Sequence, residues 1–134
     1  MKTPMRGLPR DDYNDLVRRC FADPAHGGEL PAGPGRVVRS RAEEGGAGAR
    51  IELEARMDDD RIRRLCFRVF GCPHLIAAAE LACERFEGTR LPELTPFPKS
   101  ELMQRLGIPV EKTGRLLCLE DAFERLRENC EAAG

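Results

Sequence analysis

The six cysteines include no C-x-x-C pair, so the most specific spacings for a zinc site or a redox dithiol are missing. No apolar run approaches the roughly 20 residues that span a bilayer. The opening stretch "MKTPMRGLPRDD" lacks the apolar segment of a signal peptide. Neither sign of charge is in excess: 22 Lys and Arg face 23 Asp and Glu, a formal net charge of -1. That balance gives no global reason to expect nucleic acid or an anionic membrane as partner. G-x-x-x-x-G-K-[ST] and G-x-S-x-G are both absent, and "GGAGAR" is a glycine cluster without a phosphate-binding context. The chain is therefore expected to be no enzyme. It should be cytoplasmic, with reduced thiols in place of a disulfide framework.

What remains is an ordinary soluble composition, 41% hydrophobic and 34% charged over 134 residues, read as one domain over 1–134. "DDYNDLVRRCFA" places Tyr13, Leu16, Val17 and Cys20 on one helical stripe. A Gly- and Pro-dense loop, "DPAHGGELPAGPG", follows, then "RVVRSRAEE" as a first strand. "ARIELEARM" sets Ile51 and Leu53 against Glu52 and Glu54, and "RIRRLCFRVF" sets Leu65, Phe67 and Val69 against Arg64, Cys66 and Arg68. The acidic turn "DDD" joins these two runs into a hairpin with one solvated face.

After Cys72 the period changes from 2 to 3.6, and Leu75, Ile76, Ala79, Ala82, Cys83 and Phe86 form a stripe closed by Gly88. "KSELMQRLG" is a short helix ended by Gly107, "IPVEKTGR" a loop, and "LLCLEDAFERLRENCEA" a last helix with Leu119, Phe123, Leu126 and Cys130 inward. The expected fold class is α+β, in the order α-β-β-β-α-α-α. A small three-stranded antiparallel sheet is packed on one face by helices.

Cys20, Cys83 and Cys130 fall on buried stripes, where free cysteine acts as a small hydrophobe. Cys66 shares its strand face with Arg64 and Arg68 and is expected partly exposed; Cys118 faces either way. Cys72 stands apart. Gly71 permits a sharp turn and Pro73 suits the first helical position, which makes Cys72 the N-cap or its neighbour. The positive end of a helix favours thiolate there, so a reactive or ligating Cys72 is expected. His74 either presents a ring nitrogen at this corner or is solvated, and His26 is read as a surface residue.

These pieces, in this order, resemble the U-type iron–sulfur cluster scaffold family (IscU and the N-terminal domain of NifU). The residues that carry the likeness are Tyr13, Asp23-Pro24 and Gly28, the corner "FGCPHLIAAA", and "LEDAF" opening the last helix. The family holds metal or a nascent cluster with three cysteines, an aspartate and a histidine. Cys72 matches the second cysteine. The first falls on Gly45, the aspartate on Ala47, and the third cysteine on Gly114 or Arg115. The family's "LPPVK" chaperone-recognition stretch reduces to "IPVEK".

The resemblance implies a scaffold-like protein of iron–sulfur cluster assembly that binds or relays cluster components through Cys72. Its partners would be a cysteine desulfurase and iron–sulfur recipient proteins. An iron–sulfur cluster or zinc would need further ligands, with His74, Cys118 and Cys66 as stand-ins or a homodimer to complete the set. Two alternatives stay open: a SufE-like persulfide acceptor that uses Cys72 alone, and a protein that has kept the fold and lost the metal site.

Overall fold

Alternating apolar and charged residues give a strand one face for a core and one for water. The computed structural model, which describes residues 13–46 and 48–133, builds three such strands into one antiparallel sheet. They are β1 Arg36–Glu44, β2 Ala49–Asp58 and β3 Arg61–Phe70, in that spatial order. Ala42, Ile51, Leu53, Ala55, Leu65 and Phe67 face inward and are buried. Arg39, Glu52, Glu54 and Arg68 pair across the outer face. The β2–β3 turn is tight, with Asp59 in the left-handed region at φ 56°.

The described residues form four helices, α1 Asp15–Ala22, α2 Pro73–Phe86, α3 Lys99–Leu106 and α4 Thr113–Ala133, of which α2 and α4 lie on the inner face. Short 3-10 turns occupy Leu91–Leu94 and Val110–Lys112. The α+β class and the order α-β-β-β-α-α-α are those expected. α4 packs on β1 and β2, α2 on β3, and α1 against α2. Asn14 caps α1 by accepting the Val17 N–H at 2.9 Å, so that helix starts at Asp15; Asp11 and Asp12, also expected in it, lie outside the described residues. Phe86, Phe97 and Phe123 meet with ring centroids 5.4–6.2 Å apart and tie α2, α4 and the 97–98 connection together.

The structure departs from the expected pattern at three places. The last helix begins at Thr113, and "IPVEKTGR" is a 3-10 turn running straight into it, with Thr113 Oγ1 donating to the Val110 carbonyl. The strict alternation of β3 also breaks: Ile62, to which no face was assigned, joins Leu65 inside although they are three residues apart. A β-bulge makes this possible: Arg56 pairs with Arg64 but Met57 with Ile62, leaving Arg63 over.

The third concerns Cys66, which is buried. Segment 26–28 pairs along the free edge of β3, with Phe67 N–H donating to His26 O and Gly28 N–H to Phe67 O, both at 2.9 Å. Gly28, Glu54 and Arg68 thereby line one groove with Cys66. At the opposite edge, Asn129 and Arg125 of α4 donate to the carbonyls of Arg39 and Arg41, which blunts β1 for pairing with another chain. Among the described residues no helix is long and apolar enough to cross a membrane.

Candidate functional site

β3 ends at Phe70 and α2 begins at Pro73, so Gly71 and Cys72 are the whole connection. Cys72 is the N-cap, with extended backbone at φ −82° and ψ 165°, and Pro73 follows as the first helical residue. Its carbonyl accepts the N–H groups of Leu75 and Ile76, but its thiol caps nothing. Gly71 does not serve as expected. Its φ is not in the positive region, so the turn does not need glycine's backbone freedom. It is small because the core comes close: a Cβ there would sit 2.9 Å from Leu75 Cδ2.

The fold brings a residue to this corner that the sequence reading did not single out. Lys112, from the 3-10 turn before α4, places Nζ 3.7 Å from Cys72 Sγ and 3.0 Å from His74 Nδ1. The same ammonium lies 5.6 Å from the centre of the Tyr13 ring, which packs on His74 with centroids 4.7 Å apart. An ammonium only donates, so His74 Nδ1 is the acceptor and carries no proton. His74 is therefore buried beneath the corner and not solvated.

Of the six cysteines Cys72 alone is not buried. Burial pushes the thiols of Cys20, Cys66, Cys83, Cys118 and Cys130 above their ordinary range. Cys118 resolves inward, as part of the core. Gly45 has open space around it, and Ala47 lies outside the described residues. At Gly114 a side chain would collide with the Glu44 carboxylate, which lies against the start of α4. There a negative charge complements the helix dipole.

Among the described residues no group of three or more His, Cys, Asp or Glu is arranged to hold a metal ion. A structural zinc takes about four ligands and a cluster a near-complete set of thiolates. One half-buried thiol beside a histidine engaged by Lys112 does not fit either.

His26 is also corrected. Its N–H donates to Glu80 Oε1 at 2.9 Å, and its ring nitrogens lie 2.8 Å from Glu80 Oε2 and 3.0 Å from Glu87 Oε1. Glu80 is 2% exposed and His26 14%. Burial alone would lower the His26 pKa, but the two carboxylate hydrogen bonds outweigh it and the net shift is upward. This clamp fastens segment 26–28 to α2. In sequence the partners are 54 and 61 residues apart, and only the stray acid inside the "LIAAAELAC" helix hints at them.

With this geometry in view, comparison with known proteins is decisive at the level of family. A family model described as the NifU-like N terminal domain matches residues 12–125. This chain belongs to that family. It is 25% identical over 118 residues to the iron-sulfur cluster assembly protein IscU of Plasmodium falciparum, covering 88% of this chain and 73% of that one. It is also 25% identical over 126 residues to the iron sulfur cluster assembly protein 1 of Trachipleistophora hominis, covering 92% and 91%.

Solved structures agree on the fold. FiSufU from Fervidobacterium islandicum AW-1 superposes with a TM-score of 0.72 at 12% identity, over 86% of this chain and 96% of that one. An N-terminal NifU-like protein from Brucella abortus gives 0.69 at 14% identity, over 90% and 95%. The likeness read from Tyr13, the Cys72 corner and "LEDAF" thus holds for the family and the architecture.

Proposed function

We propose that this chain serves iron–sulfur cluster assembly as a scaffold-family protein, binding or relaying cluster components through Cys72. The observation that carries the reading is the corner itself: one accessible thiol at the start of α2, with a lysine ammonium at its sulfur. Iron and sulfur are cargo here. The donor set does not fit a resident zinc or cluster, so no step is drawn through one. A single thiolate suffices to accept a sulfur atom from a persulfide and pass it on. The sulfur-acceptor alternative is in this sense the first step of the same role, with Cys72 returned to thiolate each time.

The partners are then a cysteine desulfurase as source and iron–sulfur recipient proteins as destination. Protein partners suit the surroundings. Phe70, 57% exposed, stands two residues before Cys72, and Val110, 78% exposed, two residues before Lys112. They are the places where such a partner would touch the chain near the corner, Phe70 with the Arg50 guanidinium 4.5 Å from its ring centre. The test is cluster formation on an apo recipient supplied with desulfurase, cysteine and iron. Wild type should speed it and Cys72→Ser should not; equal rates for the two proteins would remove the role given to Cys72.

A further inference from the structure

We infer that Lys112 is the charge partner of the cargo sulfur, so that the corner takes sulfur as an anion: thiolate before transfer and persulfide after. The inference rests on the reading of Cys72 as the working thiol and names the substrate class, a protein persulfide. Lys112 is half-buried, and its partners are Cys72 Sγ, His74 Nδ1 and the Tyr13 ring face. No carboxylate among the described residues pairs with it. A partly desolvated cation without an anion is unfavourable, and the group in reach that can bring a negative charge is Cys72. His74 cannot, because its Nδ1 accepts from Lys112 as a neutral ring.

The lysine is also held in place. Its backbone N–H donates to Pro109 O at 2.9 Å, and the next residue, Thr113, donates its Oγ1 hydroxyl back to Val110 O at 2.6 Å. Lys112 thus comes from a fixed turn, not a loose loop, and its ammonium lies beside the first turn of α2, 3.7 Å from Cys72 Sγ and 3.0 Å from His74 Nδ1. The lysine ammonium and the α2 N-terminus both put positive charge near the sulfur.

The chemistry balances without a metal or an oxidant. Cys72 thiolate attacks the terminal sulfur of a donor R–S–SH, forming one S–S bond as the donor's own S–S bond breaks. The electron pair of that broken bond stays on the donor sulfur, which takes the proton and leaves as R–SH. Cys72 is left as a persulfide anion beside the Lys112 ammonium. Total charge is unchanged, and the sulfur changes carrier only.

The test compares two alkylating reagents of similar size, anionic iodoacetate and neutral iodoacetamide, on Cys72 in the full chain. Lys112→Met should lower the iodoacetate-to-iodoacetamide rate ratio by about five- to tenfold at low salt, and Lys112→Arg should restore it. A purely structural lysine would change both rates together and leave the ratio alone; that result, or failure of arginine to rescue, overturns the inference. A second arm measures sulfur transfer from a desulfurase, which Lys112→Met should slow and Lys112→Arg should preserve. If wild-type Cys72 receives no sulfur at all, the functional reading and the persulfide assignment fall, whatever the reagent ratio shows. If wild type receives sulfur and Lys112→Met receives it equally fast, only the role of Lys112 falls.

Discussion

Replacing His26 with alanine tests the clamp between segment 26–28 and α2. Glu80 is 2% exposed, and its carboxylate takes two hydrogen bonds from His26, one from the backbone N–H and one from the ring. Removing one partner of a buried ion pair costs about 3–5 kcal/mol. Here the backbone donor survives, and the Glu87 contact is weaker because Glu87 is 28% exposed. A loss of about 2–4 kcal/mol follows, or roughly 8–15 °C in Tm for a chain of this length.

The effect carries a pH signature. The His26 pKa is raised in the folded chain, against burial, by its bonds to Glu80 and Glu87. Its charge therefore adds stability in full below the unfolded value, about 6.5, and that increment is lost as pH rises through the higher folded value. Glu84, whose pKa is raised by partial desolvation and by Glu80 beside it, titrates in both proteins, so the measured quantity is the difference between them. Thermal unfolding from pH 5.5 to 9 should show the gap between wild type and His26→Ala widest at the acid end. A gap that is absent, or flat across that range, refutes the clamp.

Cys83→Asp and Cys130→Asp each bury an unpaired charge and should lose several kcal/mol in denaturant titrations; if both unfold like wild type, the packing of α2 and α4 is misdrawn. Gly71→Ala should cost about 1–3 kcal/mol, because the new methyl meets Leu75 in the core, and a neutral result would show that Leu75 has room to move. Purified protein should carry substoichiometric zinc or cluster by metal analysis; stoichiometric metal that survives a chelator would show that ligands beyond Cys72 complete a site.

What was legible in the sequence was whatever repeats locally. Ile51 and Leu53 against Glu52 and Glu54 announce β2, and the change of period at Cys72 announces the corner. Gly107, at φ 64°, stops α3 where a glycine should. What stayed hidden depends on residues far apart in the chain. The bulge at Arg63 exists only in the pairing of β2 with β3. Cys66 looks exposed until segment 26–28 is laid along β3. Lys112 reads as a loop lysine, and only the fold carries it 40 residues back to Cys72. Gly71 reads as a residue that permits the turn, whereas the constraint on it is Leu75. The absent family ligands were visible at once at Gly45 and Gly114, whereas the Glu44 carboxylate filling the space at Gly114 was not.

The central claim is that Cys72 is the thiol through which sulfur passes. The most direct measurement is peptide mass spectrometry after the chain is incubated anaerobically with a desulfurase and cysteine, then alkylated to trap persulfides. The peptide bearing Cys72 should be heavier by one sulfur atom, and the peptides bearing Cys20, Cys66, Cys83, Cys118 and Cys130 unchanged. Sulfur spread over the buried cysteines, or none on Cys72 while the desulfurase turns over, would contradict it.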